Sequence, residues 1–272
     1  MAQTSYPGLG PPLAAELQAP RPPLRVCAAP PLGQGMLIVV PTYNERACLE
    51  PFVGAVLAAA PAAQLLIVDD ASPDGTGALA DSLAARDERV HVLHRAAKLG
   101  LGTAYVAGFR WGLARDFQRF CEMDADFSHA PNELFRLCDA LDAGADVAVG
   151  SRNIPGGAIE GWGPGRLLLS KGGSAYSRRV LGMSVRDLTT GYKAFTRRAL
   201  ERLNLDVVRS NGYAFQIETS YRALRAGLSL VEVPITFVDR RVGQSKMDWR
   251  IFLEAVSVVW RLRLDAVWPR RS

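Results

Sequence analysis

Two aspartates separated by a single residue are the clearest chemical feature of this 272-residue chain. Asp124 and Asp126 lie in the stretch EMDADFSH, residues 122–129, directly after an apolar segment. Neighbouring carboxylates repel each other unless a cation or a shared proton compensates their charge. Because side chains alternate along an extended chain, a D-x-D pair directs both carboxylates to the same side. Two such oxygen ligands suit Mg²⁺ or Mn²⁺, which keep their other positions for water and substrate phosphates.

The residues after this pair leave its role open. Ser128 and His129 are close enough in sequence to complete or orient a metal shell. A D-x-D pair is nevertheless common in chains of this length, and a solvated loop with two acids has the same sequence. The motif therefore predicts a metal site only in combination with other features.

Two further polar segments each follow an apolar run. In PTYNE, Pro41 ends the run, Tyr43 offers a flat face for a base, and Glu45 can accept hydrogen bonds from a ribose or a base. In VDDASPDGT, residues 68–76, a carboxylate can accept from a ribose diol or a base amine. Turn formation and helix capping explain the same residue types equally well.

A glycine-containing segment, KLGLGTAY at residues 98–105, precedes a helical pattern. Glycines at a helix N-terminus let the backbone approach a ligand, and the free amides there favour anions. The segment does not match G-x-G-x-x-G and follows the third predicted strand rather than the first. The dinucleotide-binding fingerprint is therefore absent.

The elements that must position these segments alternate between strand and helix. Short apolar runs predict strands at 36–40, 65–69, 90–94, 118–123 and 146–151, with helical patterns between them. This alternation predicts an α/β fold with a mostly parallel central sheet and helices on both faces. Ligands of such sheets bind at the carboxyl ends of the strands, where the two aspartate pairs fall.

The chain divides into three predicted regions. Residues 1–35 hold eight of the seventeen prolines and are expected to form a disordered Pro/Ala-rich arm. Residues 36–247 form the patterned domain, in which the segment LSLVEVPITFVDRR is expected to be one strand. Residues 248–272 form an amphipathic helix edged with Arg and Trp, which suits either a membrane interface or packing on the domain.

The overall composition narrows the class of protein. A net charge of +5 and a pI near 9.2 fit an anionic partner, but they also fit no partner at all. The basic residues are scattered and no recognised module is present, so we expect no nucleic-acid binding. No apolar run reaches the roughly 20 residues that span a bilayer.

We expect reduced thiols rather than a metal or redox role for the four cysteines, Cys27, Cys48, Cys121 and Cys138.

Taken together, the motifs resemble one known family. The segments PTYNE, VDDASPDGT, GLGTAY, MDADFSH, GSR, DLTTGYKAF, GYAFQIE and RRVGQSK occur in the order seen in polyprenol- and dolichol-phosphate mannosyltransferases of glycosyltransferase family two. The resemblance covers about residues 36–252. It implies the GT-A fold and a hexosyltransferase that moves mannose from GDP-mannose to a polyprenyl phosphate, with inversion, giving polyprenyl-phosphate mannose. It also implies Mg²⁺ or Mn²⁺ as cofactor.

The resemblance assigns roles to the matching positions of this chain. Nucleotide contacts are implied for Pro41, Tyr43, Glu45, Val68 and Asp70. Contacts to the metal and the diphosphate are implied for Asp124, Ala125 and Asp126. The acceptor phosphate is expected near Arg152, Arg166 and Ser170. The catalytic cations are expected to be Arg152, Arg240 and Lys246, acting with the two aspartates.

The implied reaction needs no general base. The acceptor phosphate is already ionised near neutral pH because its second pKa is about 6. It needs cations that bring two repelling anions together, which Arg152 and Arg166 can supply. Asp187 lies where a base is sometimes sought, but we interpret it as a turn or capping residue.

The chain departs from the family in two respects. Many members carry Gln where Ser128 stands as a further metal ligand, and a serine hydroxyl is a weaker ligand. Many bacterial relatives append membrane-spanning helices, which this sequence does not contain. We therefore expect a cytoplasmic protein, peripheral at the cytoplasmic face of a membrane, that reaches its lipid through the tail helix or a partner membrane protein.

Two other functions remain open on sequence grounds. A related family 2 transferase would use UDP-glucose or a similar donor with a lipid-phosphate or glycan acceptor. A non-catalytic sugar-nucleotide binder would belong to another class. The intact acids Asp124 and Asp126 and the intact basic residues Arg240 and Lys246 argue against that second alternative.

Overall fold

The structure is a computed structural model and describes residues 31–239 and 249–267. Nine strands lie in these ranges: β1 Met36–Thr42, β2 Gln64–Asp69, β3 Val90–His94, β4 Arg119–Glu122, β5 Val147–Ser151, β6 Ala158–Glu160, β7 Lys193–Thr196, β8 Leu230–Pro234 and β9 Thr236–Val238. Eight α-helices accompany them: α1 Arg46–Ala59, α2 Thr76–Arg86, α3 Leu101–Leu113, α4 Leu134–Asp142, α5 Pro164–Leu181, α6 Arg197–Leu203, α7 Gly212–Arg225 and α8 Trp249–Val267.

Seven strands form one sheet in the order β3-β2-β1-β4-β7-β5-β8. Every neighbouring pair is parallel except those of β7, which runs antiparallel to β4 and β5. Strands β6 and β9 form a second, two-stranded parallel sheet. The predicted α/β architecture with a mostly parallel sheet is confirmed.

The sheet is covered on both faces because its central strands are apolar at every position. Along β1, Ile38 and Val40 pack into one core cluster with α1, α2 and α4. Leu37 and Val39 alternate with them and pack into a second cluster with α3, α6 and α7. A continuous apolar run thus fills both layers, as expected for parallel strands.

Two glycines bring α3 close to the sheet. A Cβ atom at Gly108 would lie 2.4 Å from Cγ1 of Val39, and one at Gly112 would lie 2.4 Å from Cε1 of Phe120. Larger residues would push the helix away from the strands. The close packing holds the N-terminus of α3 beside the carboxyl ends of β1 and β2.

The second half of the chain differs from the prediction in two places. Strand β7 was not predicted, because its first residue is a lysine; Lys193 is fully buried and its charge is satisfied by groups on α7. The segment predicted as one strand after residue 227 is divided into β8 and β9 at Ile235, whose amide donates to the Ser151 carbonyl. The prediction of a single strand there was wrong.

The flanking regions are described only in part. Residues 31–35 of the predicted arm form a turn whose Gly35 carbonyl accepts from the amides of Gln118 and Arg119, whereas residues 1–30 lie outside the described residues. Helix α8 packs Val258, Val259 and Leu262 into a third core cluster with α5 and α7. Within the described ranges, no helix has the length and apolar character needed to cross a membrane.

Of the four cysteines, Cys48, Cys121 and Cys138 are free thiols, as expected, and Cys27 lies outside the described residues. Burial raises the pKa of the Cys121 thiol well above its usual value, which keeps it protonated. These three cysteines are therefore ordinary buried or half-buried side chains.

Candidate active site

A cavity of about 340 Å³ opens at the carboxyl ends of β1 and β4. The chain continues from β1 to β2 on one side of the sheet and reaches β4 on the other, so the strand order reverses at this point. A crevice outside such a reversal is the general ligand site of open α/β sheets. Eight of the predicted site residues line it: Pro41, Tyr43, Glu45, Asp70, Asp124, Ala125, Asp126 and Arg166.

The aspartate pair follows β4 directly, as the sequence predicts. The hydroxyl of Tyr105, from α3, donates to Oδ1 of Asp124 at 3.0 Å. Burial raises the pKa of Tyr105 well above its usual value, so the phenol stays a neutral donor. Asp126 accepts the main-chain amide of Ser128 at 2.9 Å, which closes a tight turn. Both carboxylates are thereby oriented before any ligand binds.

Three strained residues mark the rim of the cavity. Asn44, Ala71 and Phe127 each have a positive φ of 54–61° without being glycine, and each follows a residue that lines the cavity. Such conformations cost about 1–3 kcal/mol each and persist only where surrounding contacts impose them. The ring of Phe127 packs edge-on against Phe52 at 5.4 Å, which is one such contact. Their position around one cavity supports a functional site there.

The space beside Asp124 fits a small cation. A Cβ atom at Gly191 would lie 3.2 Å from Oδ2 of Asp124, so the glycine keeps side-chain atoms away from that oxygen. Carboxylate oxygens are the donors that Mg²⁺ and Mn²⁺ prefer, and Mg²⁺ is commonly held by one or two carboxylates plus substrate phosphates. No group of three or more His, Cys, Asp or Glu suited to a metal occurs in the described part of the chain. Two neighbouring carboxylates on the wall of a cavity fit an ion that is shared with a substrate.

Ser128, the predicted third ligand, lies behind the pair rather than on the cavity wall. Its residue is 2% exposed, and within the described residues its hydroxyl is buried without a hydrogen-bond partner. Its role as a ligand stays a prediction.

The end of β2 is tied to the glycine-containing loop. Asp70 accepts the main-chain amides of Leu99 and Gly100 at 3.1 and 3.2 Å, and Arg95 pairs with it at 2.7 Å. Gly100 has φ of +101°, and a Cβ atom there would meet Asn211 at 2.9 Å. A larger residue is excluded by both conformation and space. The loop is thus fixed with its amides at the head of α3.

Twelve further residues line the cavity that were not among the predicted site residues, and six of them bear most on its chemistry. These six are Lys98, Thr189, Gly191, Asn211, Tyr213 and Gln216. Lys98 places its Nζ 3.9 Å from the centre of the Tyr43 ring, so a cation stands over the aromatic face predicted for the base. Its position before the two glycines was the only local signal. The other five come from segments distant in sequence that only the fold brings together.

Arg152 is held by a buried ion pair beside the cavity rather than on its wall. Its guanidinium donates to both oxygens of Asp187 at 2.7 Å and to the Thr189 hydroxyl at 2.8 Å. Burial opposes the charge of Asp187, but the charge and hydrogen bonds of Arg152 outweigh it and keep the Asp187 pKa below its usual value. Asp187 also accepts the main-chain amides of Arg152 and Thr189, as a turn aspartate does.

Arg166 reaches the cavity from the first turns of α5. It pairs with Asp239 at 2.8 Å and stacks 4.2 Å from the centre of the Trp162 ring. Arg152 lies 5.4 Å from the same ring centre, so both guanidinium groups lie close to one indole. Ser170 is one helical turn beyond Arg166 and is half-buried. The two arginines expected at the acceptor phosphate are therefore neighbours.

A buried ionic pair lies beneath the cavity floor. Lys193 stands 3.8 Å from Glu122 and donates to the carbonyl and the side-chain oxygen of Gln216 at 2.8 and 2.7 Å. Gln216 donates in turn to Glu122 at 3.3 Å and faces the cavity. Burial raises the pKa of Glu122 to about 7 and lowers the pKa of Lys193 to about 8.

The remaining predicted residues lie elsewhere. Val68 is fully buried in the second core cluster and does not line the cavity. Arg240 and Lys246 lie outside the described residues. The roles expected for these three stay predictions.

Comparison with solved structures supports the fold type. The chain superposes on glucosyl-3-phosphoglycerate synthase from Mycobacterium tuberculosis with a TM-score of 0.62 at 19% identity, over 85% of this chain and 80% of that one. The complex of the same enzyme with Mn²⁺, uridine diphosphate and glucosyl-3-phosphoglycerate gives a TM-score of 0.60 at 20% identity, covering 86% and 80%. The chain therefore has the GT-A fold.

The sequence profile of the family "Glycosyl transferase family 2" matches residues 37–203. The chain is 54% identical over 233 residues to polyprenol monophosphomannose synthase of Mycolicibacterium smegmatis, covering 85% of this chain and 88% of the relative. It is 48% identical over 233 residues to undecaprenyl-phosphate mannosyltransferase of Micrococcus luteus, covering 86% and 96%. The chain belongs to glycosyltransferase family 2 and, within it, to the polyprenol-phosphate mannosyltransferases.

Proposed function

We propose that the enzyme transfers mannose from GDP-mannose to a polyprenyl phosphate with inversion at the sugar carbon. The names of the two relatives described above support the mannosyl group and the lipid acceptor. The observation that carries the proposal is the single cavity in which the carboxylates of Asp124 and Asp126 share a wall with the guanidinium of Arg166. Such a site can receive a diphosphate and a second phosphate together.

The donor nucleotide occupies the side of the cavity formed after β1 and β2. Tyr43 stacks on the base, with the Lys98 ammonium above the same ring. Glu45 and Asp70 accept hydrogen bonds from the base or ribose. Arg95 pairs with Asp70 and holds its carboxylate in place. The N-terminal end of α3, whose Leu101 lines the cavity, lies on the same side, and its positive dipole end favours an anionic ligand.

Asp124 and Asp126 would hold Mg²⁺ or Mn²⁺ in the cavity. When bound, the ion would supply positive charge that stabilises a departing nucleoside diphosphate. Tyr105 keeps the Asp124 carboxylate oriented towards the cavity. Arg240 and Lys246, outside the described residues, supply further positive charge to the leaving group.

The acceptor phosphate occupies the side formed by α5, where Arg166 and Ser170 meet it and Arg152 adds positive charge. One phosphate oxygen forms the new bond to the anomeric carbon, and the bond from that carbon to the nucleoside diphosphate breaks. The incoming oxygen approaches opposite the leaving group, which inverts the carbon. No proton has to be removed, because the attacking phosphate is ionised near neutral pH.

The lipid acceptor implies work at a membrane surface, and we place the protein peripherally at the cytoplasmic face. Trp260 and Leu264 on α8 are 50% and 55% exposed, and Arg261 and Arg263 are exposed on the same helix. Aromatic, aliphatic and basic residues of this kind suit an interfacial helix. Val258 and Val259 of the same helix pack on the domain, so one face remains available.

The proposal is tested by incubating the protein with radiolabelled GDP-mannose, polyprenyl phosphate and Mg²⁺ or Mn²⁺. We expect lipid-linked mannose as the product, with an anomeric configuration opposite to that of the mannose in the donor. UDP-glucose serves as the competing donor and should give little product. Absence of lipid-linked mannose with either metal would overturn the proposal.

A further inference from the structure

A second pocket, separate from the active-site cavity, lies on the outer side of α5. It has a volume of about 360 Å³ and is lined by Asn153, Lys171, Ala175, Arg178 and Arg186. Three of these five residues are cationic and none is acidic. The pocket's charge suits an anionic ligand.

The three cations of this pocket have no carboxylate partner in the part of the chain that the structure describes. Within the described ranges, no carboxylate lies within 4.0 Å of the side-chain nitrogens of Lys171, Arg178 or Arg186. By contrast, Arg152 and Arg166 beside the active site face carboxylates at 2.7 and 2.8 Å. Three converging, unpaired cations repel one another, and an anion placed between them relieves that repulsion.

The pocket is preformed by the backbone around it. Lys171, Ala175 and Arg178 are at i, i+4 and i+7 on α5 and share one helix face, with the small Ala175 leaving room between the two cations. The amide of Arg186 donates to Glu232 at 2.8 Å, and the Asn153 side chain donates to the Arg186 carbonyl at 3.3 Å. The main chain of Arg186 is therefore fixed while its guanidinium is not engaged.

An apolar side chain extends the same helix face. Leu168, one turn before Lys171, is 75% exposed, whereas Leu169 (44% exposed) lies on another face of α5. A leucine with three quarters of its surface in water next to a cationic pocket is typical of a surface that enters a bilayer interface. Free phosphate would use the cations but would leave Leu168 in water. A phospholipid would engage both features.

We propose that this pocket binds the phosphate headgroup of an anionic membrane phospholipid and so docks α5 on the bilayer next to the acceptor site. The inference rests on the proposed function, since only a lipid acceptor requires α5 to meet a membrane. Ser170, expected at the acceptor phosphate, is followed directly by Lys171. Docking through the pocket would bring the acceptor group within reach of a polyprenyl phosphate in the same leaflet.

The test is sedimentation of the full chain with vesicles of phosphatidylcholine alone and of phosphatidylcholine with about one third phosphatidylglycerol. The double variant Lys171→Ala/Arg178→Ala should bind the anionic vesicles about 30-fold more weakly, because each of the two lost basic residues contributes to binding at an anionic membrane surface. The control Arg202→Ala/Arg225→Ala removes the same charge from two exposed residues outside the pocket and should lose less than about threefold. Equal losses in the two variants would overturn the proposal.

Two further experiments are needed. One distinguishes a lipid headgroup from free phosphate as the ligand, and the other distinguishes failure of the pocket proposal from failure of the proposed function. Glycerol 3-phosphate at millimolar concentration should leave vesicle binding in place; full displacement would mean a site for free phosphate and would overturn the lipid assignment. Transfer of mannose to a short, water-soluble polyprenyl phosphate should be equal in the wild type and in Lys171→Ala/Arg178→Ala. Loss of transfer in the wild type itself would count against the proposed function, whereas vesicle binding alone decides the pocket.

Discussion

At the scale of single residues, the two oxygens of Asp124 have different surroundings. Oδ1 accepts the Tyr105 hydroxyl, and Oδ2 faces the space that the absent side chain of Gly191 leaves. Asp126 is fixed separately by the Ser128 amide. This division orients the pair for a ligand in the cavity, and it depends on residues far apart in sequence.

A methyl group at position 191 should therefore disturb the metal site. The Cβ of Gly191→Ala would lie 3.2 Å from Oδ2 of Asp124, so the carboxylate must shift. We expect about a tenfold loss of Mn²⁺ affinity, of the size seen when groups that orient metal ligands are changed. Mn²⁺ titration followed by electron paramagnetic resonance measures it.

Gly54→Ala is the matched control for this change. Gly54 lies in α1 with nothing within 4 Å of a built Cβ atom. The control should keep the Mn²⁺ affinity and gain up to about 1 kcal/mol of stability from the better helix former. Unchanged Mn²⁺ affinity in Gly191→Ala would show that the space beside Asp124 does not serve a cation.

Replacement of Asp126 should remove transfer while leaving the fold intact. Asp126→Asn keeps an oxygen for the Ser128 amide but removes a charge close to Asp124. Because the change relieves repulsion between two acids, the melting temperature in chelator should hold or rise. A transfer assay with radiolabelled GDP-mannose checks the first part, and thermal unfolding in chelator checks the second. A large fall in melting temperature in chelator would mean that the pair is structural.

The sequence predicted the residues of the site that follow strands, because D-x-D and PTYNE are local patterns of side-chain chemistry. It did not indicate Tyr105, Gly191 or Gln216. Tyr105 lies within a helical pattern and reads as an ordinary core residue. Gly191 and Gln216 act through contacts formed only when distant segments meet, and no single-sequence pattern reports those contacts.

At the scale of elements, β4 and β7 are joined by an ionic pair. Glu122 and Lys193 are directly opposite in the antiparallel register, and both are fully buried. Removing one partner leaves the other charge unpaired in the core, which costs about 3–5 kcal/mol. Lys193→Met should therefore lower the free energy of unfolding by about that amount.

The double variant Lys193→Met/Glu122→Gln tests the coupling. It removes both charges together, so it should recover much of the stability lost in Lys193→Met. Urea denaturation of the two single variants, the double variant and the wild type gives the coupling energy directly. Additive losses would mean that the pair does not interact.

The same pair predicts a pH dependence of stability. Burial raises the Glu122 pKa from its usual value near 4.5 to about 7. Between these values the native protein keeps a proton that the unfolded chain has lost, so this contribution to stability falls as the pH rises from about 5 to about 7. Glu122→Gln lacks the group, so its urea midpoint should fall less over this range. Parallel pH profiles for the two proteins would contradict the assignment.

The five strands of the first half were predicted because each is a short apolar run between turn residues. Strand β7 was not, because a fully buried lysine opens it and its partner is a glutamate 71 positions earlier (193 minus 122). A charged residue in a sequence pattern indicates a solvent-exposed position unless its buried ion-pair partner is known. The pairing of distant charges is thus the part of the sheet that sequence patterns do not report.

For the whole molecule, the order of strands decides where the site forms. The reversal between β1 and β4 brings PTYNE and D-x-D to one edge, and α5 and α7 close the cavity from the second half of the chain. The fold class followed from alternating strands and helices. The insertion of antiparallel β7 did not, because topology depends on pairings between distant strands.

The central claim is that a divalent cation held by Asp124 and Asp126 binds the donor diphosphate in this cavity. Calorimetric titration of GDP-mannose into the wild type and into Asp124→Asn/Asp126→Asn, each with Mn²⁺ and with chelator, tests it most directly. We expect the wild type to bind at least about tenfold more weakly in chelator, a difference of about 1.4 kcal/mol, and the double variant to bind weakly in both. Equal affinity in all four titrations would contradict the account.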